Sequence, residues 1–335
     1  MNIIVDGMGG DNAPGEIVKG CVDAVNEYDI EITIVGKEQI IKEELSKYKY
    51  SDDKIQILNA DDVITNDDDP AIAIRRKKNS SLVVGLNALK DGLGDGFISA
   101  GSTGALLAGG LFIIKRITGI DRAALTSVYP TTKGLSLLVD AGANVDCKPE
   151  YLKQFGLMGS IYMENVFGRK NPKVGLVNIG TEEGKGNQLS KEAFDLLKGE
   201  DINFIGNVEG RNLPEGDVDV IVADGFVGNI VLKLTEGMAI SIFSILKKSL
   251  MSNTKSKIGA LLLKSELSDI KKKMDYREYG GAPLLGTKLP VVKAHGSSDA
   301  YAFKNGIRQL IAFIENDTIK TIENNINKDK NNQEG

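Results

Sequence analysis

Gly96-Phe97-Ile98-Ser99-Ala100-Gly101-Ser102-Thr103-Gly104-Ala105-Leu106-Leu107-Ala108-Gly109-Gly110 is the stretch whose reading decides the fold. It begins as a short buried strand, continues as a turn of small residues, and ends as a helix that is apolar on every side. A helix without a polar face belongs in a core, so this turn is expected near the middle of the molecule. Small residues let a ligand approach the backbone, and the free N–H groups and positive dipole end of the new helix favour an anion. Ser99, Ser102 and Thr103 add hydroxyl groups at the same place. A tight turn capped by Ser102 would look the same, but the chain repeats the device.

Upstream, the strand Asn2–Asp6 runs into Gly7-Met8-Gly9-Gly10-Asp11-Asn12-Ala13-Pro14. Asp11 or Asn12 can cap the next helix, with Pro14 in its first turn. Ile17, Val18, Cys21, Val22 and Val25 form that helix's apolar stripe, which places Cys21 in the core. A strand at Glu31–Val35 follows. Downstream, Leu135–Val139, Lys173–Ile179 and Asp219–Val222 each read as strands. They end in Asp140-Ala141-Gly142-Ala143-Asn144, in the turn from Gly180 to Asn187, and in the turn from Ala223 to Asn229. Helices are expected from about Pro149 and from the last of these turns to about Leu246. Ala294-His295-Gly296-Ser297-Ser298 then precedes a helix with Ala300, Phe303, Ile307, Leu310 and Ile314 on one face. The alternation implies right-handed βαβ units and an α/β fold with a mostly parallel, Rossmann-like sheet in three layers. Such turns gather at the carboxyl ends of the strands, where open sheets bind ligands. The expected cleft is an anion site of N–H groups and hydroxyls, without a G-x-S-x-G nucleophile elbow. A dinucleotide site fits poorly. Asn12 stands where the fingerprint wants Gly or Ala, and Gly36-Lys37 supplies no acid for a ribose.

Residues 1–325 of the 335 are expected to form a single domain, with a helical amphipathic insertion at about 247–280 and a flexible polar tail at 326–335. Two cysteines suit a reducing compartment, and a single histidine argues against a metal site. A net charge of −5 disfavours nucleic acid as a partner. The longest apolar run, around Gly104–Ile114, falls short of the ~20 residues of a spanning helix, so a cytoplasmic protein is expected. Arg75-Arg76-Lys77-Lys78 is either a solvated helix end or a landing site for an acidic partner. Lys185 sits between two glycines, an odd place for a merely solubilising lysine. Ile258, Leu262, Leu263, Leu267, Ile270 and Met274 recur at helical spacing among lysines, as on a membrane-surface helix or a dimer arm.

Five ordered motifs, 6–14, 75–78, 99–105, 224–229 and 294–298, resemble the bacterial phosphate acyltransferase (PlsX) family of phospholipid synthesis. The likeness runs from Met1 to about Glu315. Ser102 stands where Asn is often expected, and Gly7 where Ala is common. The resemblance implies transfer of a fatty acyl group from acyl carrier protein to inorganic phosphate, giving acyl phosphate. It also implies a fold like that of phosphotransacetylases and isocitrate or isopropylmalate dehydrogenases, with no cofactor and no metal. The implied partners are a second copy of the chain and, at the membrane, a glycerol-3-phosphate acyltransferase (PlsY) or the membrane surface itself, making the protein peripherally membrane-associated. Phosphate as the nucleophile needs an anion pocket and an oxyanion donor rather than a covalent side chain. On this reading His295 orients phosphate or polarises the thioester, Lys185 is a fixed charge on phosphate, and Asn229 is a further donor. Ser99, Ser102 and Thr103 with the amides of Gly101 and Gly104 form the cradle. Asp6, Gly9, Gly10, Asp11 and Ser297 complete the binding set. Arg75, Arg76, Lys77 and Lys78, or the basic run Lys271, Lys272 and Lys273, dock the acidic carrier, and Leu262, Leu263 and Leu267 mark the arm. The alternatives are an NAD-dependent decarboxylating dehydrogenase of similar fold and a non-catalytic binder of phosphate or acyl phosphate.

Overall fold

The computed structural model describes residues 1–273 and 276–333. The chain opens with β1 (Asn2–Asp6), α1 (Gly15–Glu27), β2 (Glu31–Gly36), α2 (Glu38–Leu45) and β3 (Ile55–Asn59). Then come α3 (Pro70–Arg76), α4 (Ser81–Lys90), β4 (Gly96–Ser99) and α5 (Thr103–Gly109), the last extended by a π-helical turn at Gly110–Ile114. A second series contains β5 (Ala124–Thr131), β6 (Gly134–Val139), α6 (Pro149–Phe167), β7 (Val174–Asn178), α7 (Gln188–Lys198), β8 (Phe204–Glu209) and β9 (Val220–Val222). It continues through α8 (Gly225–Leu250), α9 (Thr254–Leu262) and α10 (Lys264–Lys273). β10 (Gly281–Leu285), β11 (Val291–Ala294), α11 (Ala300–Glu315) and α12 (Thr318–Gln333) complete the fold.

Among the described residues, one sheet of 11 strands carries the fold, in the order β3-β2-β1-β4-β11-β10-β5-β6-β9-β7-β8. The strands on either flank are parallel. In the middle, β10 runs antiparallel to both β11 and β5, and β5 antiparallel to β6. These central strands are poorly marked in sequence: β10 reads Gly-Ala-Pro-Leu-Leu and β5 carries Pro130, neither a regular alternation. The α1 and α11 side of the sheet buries Ile3, Val5, Ile98, Val292, Phe303 and Leu310. The α4 and α5 side buries Ile4, Phe97, Leu86, Leu106 and Val291. Cys21 lies fully buried among the first set, as its stripe requires.

The structure revises or extends the sequence reading at three points. The helix after Gly101 is core on one side only: Phe112 is 53% exposed, with the Arg75 guanidinium 5.3 Å from its ring centre. Among the described residues, the longest apolar helix is the one expected after the turn from Ala223 to Asn229. It is α8, 26 residues with a mean hydropathy of 1.5 over its apolar window, none of that window buried. Length and composition would let it cross a bilayer, but its first turns wall the cavity described below. Isolated charges such as Lys233 and Glu236 break the run and hide it from a scan for unbroken apolar sequence. Finally, α12 extends to Gln333. Ile322 and Ile326 are buried and tie the preceding turns to the body; 334–335 lie outside the described residues.

Candidate active site

Two carboxylates at strand ends hold the loops that frame the site. Asp6, at the end of β1, accepts the Met8 N–H at 3.2 Å and the Ser99 hydroxyl at 2.7 Å. Ser99 Oγ in turn accepts the Gly101 N–H at 3.0 Å. Asp140, at the end of β6, plays the same part in the second half. It accepts N–H bonds from Leu125 at 3.0 Å, Gly142 at 3.2 Å, Ala143 at 3.0 Å and Asn144 at 2.6 Å. Burial pushes both carboxyls up from the usual carboxylate range, opposed by these hydrogen bonds. Each is a clamp beneath a loop.

This local economy revises the expected cradle. Ser99 is fully buried and bonded to Asp6, and the Gly101 amide is spent on Ser99. Ser102 caps α5 by accepting the Ala105 N–H. Thr103 is the member of that group that lines the central cavity.

The loops interlock through close backbone contact. Asp11 donates its N–H to Gly296 O at 2.8 Å, and Asn12 Nδ2 reaches Ser297 O and Ser298 O, both at 3.2 Å. Gly10 has φ +107°, and a Cβ there would stand 2.9 Å from Ala100 Cβ and 3.1 Å from Gly296 O. At the start of α8, Asp224 caps the helix by accepting the Val227 N–H at 2.9 Å. A Cβ on Gly228 would lie 1.9 Å from Asp140 O, so only glycine lets α8 seat against the Asp140 loop and bring Asn229 inward.

Between the halves lies a cavity of about 280 Å³ with a mixed lining, the more polar of two: Leu125, Val128 and Leu232 stand there with Thr103, Asn229, Lys233, Lys293 and His295. A larger, mostly apolar cavity of about 830 Å³ adjoins it along α8, lined by Val128, Tyr129, Leu232, Ala239, Ile240 and Phe243 among others. His295 lines both. Its Nδ1 lies 2.8 Å from Ser297 Oγ and 3.2 Å from the Ser297 backbone nitrogen. A backbone N–H can only donate, so Nδ1 is the acceptor and the neutral ring carries its proton on Nε2. Burial, then the nearby Lys233, lowers the pKa of His295 and favours that neutral form, with Lys293 adding to the effect and Glu236 opposing it.

Sequence reasoning missed the two cavity lysines. Lys233 lies on α8 and pairs with Glu236 at 2.8 Å. Lys293 lies on β11, whose register sets it beside Ser99. It is the neighbour but one of His295, and strand alternation alone would have put the two on one face. Lys185 is exposed on the loop after β7 and lines neither cavity. The basic run after α3 is also divided: Arg75, Arg76 and Lys78 are exposed, while Lys77 bonds Asp68 at 2.8 Å and Val63 O at 3.0 Å. Neither cysteine is activated. Burial raises the Cys21 thiol, and pushes that of Cys147 up to about 12. Among the described residues, no cluster of His, Cys, Asp and Glu has the makings of a metal site.

Comparison with known proteins follows the same lines. The family model described as fatty acid synthesis protein matches residues 1–321. A phosphate acyltransferase of Alkaliphilus oremlandii is 56% identical over 326 residues, covering 97% of both chains. One from Clostridium botulinum is 55% identical over 327 residues, covering 97% of this chain and 98% of its own. Among solved structures, a phosphotransacetylase from Streptococcus pyogenes superposes with a TM-score of 0.65 at 18% identity, covering 96% of this chain and 94% of the other. A 4-hydroxythreonine-4-phosphate dehydrogenase from Klebsiella pneumoniae gives 0.55 at 11% identity, covering 94% and 98%. These two likenesses show the fold alone.

Proposed function

We infer the reaction from two premises: the chain belongs to the phosphate acyltransferase family, and a polar cavity meets an apolar one at His295. The protein is an enzyme of lipid biosynthesis that transfers an acyl group. The adjoining cavities are the observation that carries the finer reading, in which a fatty acyl thioester of acyl carrier protein is the donor and inorganic phosphate the acceptor. Phosphate occupies the polar cavity, the acyl chain follows the apolar one along α8, and the thioester carbon sits where they meet.

The bonds balance simply. A phosphate oxygen of HPO₄²⁻ attacks the thioester carbon, the C–S bond breaks, and the phosphate's proton passes to the departing thiolate. The products are acyl phosphate and the free carrier thiol. A thiol of pKa about 8.5 leaves with little assistance, so His295 serves as a neutral Nε2–H donor to the developing oxyanion. Thr103 and Asn229 are positioned as further donors.

The acidic carrier is proposed to dock on Arg75, Arg76 and Lys78, with Lys77 held back by Asp68. Lys185 is proposed as an outer charge that draws phosphate toward the cleft. The arm of α8, α9 and α10 exposes Ile240, Ile245, Ile258, Leu261, Leu262 and Leu263, with Leu267 half-buried. The side chains of Lys271, Lys272 and Lys273, and Met274, lie outside the described residues. The exposed stripe is proposed to pair with a second copy or to rest on the membrane, where a membrane acyltransferase would consume the product. This makes the protein cytoplasmic and peripherally membrane-associated. Thiol release tests the chemistry: the enzyme should free carrier thiol from acyl carrier thioester, above the uncatalysed rate, only when phosphate is present. Enzyme-dependent release at the same rate without phosphate would sink it.

A further inference from the structure

Lys293 is 7% exposed and is the one fully buried lysine among the described residues. Its ammonium has three N–H donors. One reaches Ala100 O at 3.3 Å and a second bonds Ala294 O. Neither acceptor carries a charge, and no carboxylate stands within ion-pair distance of Lys293 among the described residues. Buried charges are normally paired; here the nearby Lys233 already has Glu236, and Asp6 is engaged by Ser99 and Met8. The side chain nevertheless lines the polar cavity beside His295, Thr103 and Asn229. The cation is therefore held in place by the Ala100 carbonyl of the loop after β4 and by the carbonyl of its strand neighbour Ala294, with its remaining N–H toward the cavity.

We propose that Lys293 is the counter-ion of the phosphate substrate, the fixed positive charge of the anion pocket. This rests on the reading of the polar cavity as the phosphate site. It also ties the charge to the cradle, because Ala100, whose carbonyl Lys293 holds, precedes Gly101 in the loop leading to Thr103.

The charge is poised to titrate. Burial above all, with a smaller push from Lys233 and against the opposing pull of Asp6 and Asp11, lowers the pKa of Lys293 to about 8. His295 just after β11, Glu236 on α8 and Tyr279 just before β10 are the other titratable groups lining the cavity. A bound anion must then raise the pKa of Lys293, since proton and phosphate favour each other's binding. Phosphate affinity should fall about tenfold per pH unit well above pH 8.

The test is the apparent KM for phosphate and the Ki of sulfate between pH 6.5 and 9.5, in wild type and Lys293→Gln. Glutamine keeps two N–H donors and removes the charge, with one atom less of reach. Sulfate does not change protonation over this range, so a change in its Ki reports the protein. Wild type should show both constants rising above pH 8. The variant should start about 10²-fold weaker for both anions and lack that limb, while kcat at saturating phosphate changes less. Flat sulfate inhibition in wild type, or wild-type phosphate KM in a folded variant, overturns the assignment. If Lys293→Gln does not fold, the wild-type sulfate profile decides alone. Absence of acyl phosphate formation by wild type would instead overturn the functional reading.

Discussion

Single residues do three separate jobs here, and the sequence distinguishes them unevenly. His295 stood out as the one histidine beside a glycine turn. Its tautomer depends on the Ser297 N–H, which only the folded turn reveals. His295→Ala should cut kcat by roughly 10²–10³-fold, the usual cost of losing an oxyanion donor, with carrier KM little changed. Because burial and the cavity cations lower its pKa, the acid limb of kcat should fall below the ordinary histidine value of about 6.5. Protonation of Nδ1 would break the bond from Ser297 and turn the ring. A limb above that value would contradict the neutral-donor role. Lys185 drew notice for its flanking glycines, yet its loop follows β7, two strands beyond β6. Lys185→Ala is expected to raise phosphate KM by less than about tenfold at unchanged kcat; a large fall in kcat would place it on the reacting atoms. Lys293 escaped because a lysine inside Val291–Ala294 looks like a strand-end lysine until its register is known.

At the level of elements, what could be read were the strands that end in glycine-rich turns and the helices that follow them. Periodicity marks these because each has one face on the core. β10 and β5 were not legible, since the pairing that stabilises them joins residues far apart in the chain, such as Leu284 with Leu125. Their effect is large: they bridge the two parallel flanks and form a wall of the polar cavity. The seat of α8 is equally a matter of contact. Gly228→Ala should destabilise the protein by about 1–3 kcal/mol through overpacking against Asp140 O and lower kcat by displacing Asn229. Urea unfolding together with turnover would check both; an unchanged midpoint would mean that the loop yields freely. For α3, Arg75, Arg76 and Lys78 changed together to Glu should raise carrier KM and flatten its salt dependence, leaving phosphate KM as it was. Stopped-flow association with the carrier would show no change if the dock lies elsewhere.

For the molecule as a whole, the glycine-rich turns that look redundant in sequence have a common destination. Asp6 and Asp140 clamp one loop in each half, the loops after β1, β4 and β11 interlock, and α8 closes the space between. The arm of α8 to α10 then extends apolar surface away from the same site. Leu262, Leu263 and Leu267 changed together to Asp should weaken self-association or release the protein from anionic vesicles; sedimentation and vesicle flotation both unchanged would leave the arm without either role. The place of the cleft was legible because turn residues state backbone needs directly, whereas its lysines were not, because burial and register decide which of them line it. The central claim is that phosphate itself attacks the acyl thioester. Phosphorus NMR of the wild-type enzyme with acyl carrier thioester and inorganic phosphate tests it most directly. The account predicts an acyl phosphate resonance that grows in step with free carrier thiol, one for one. Thiol release with no acyl phosphate at any time, in the presence of hydrolysis-resistant conditions, would contradict it.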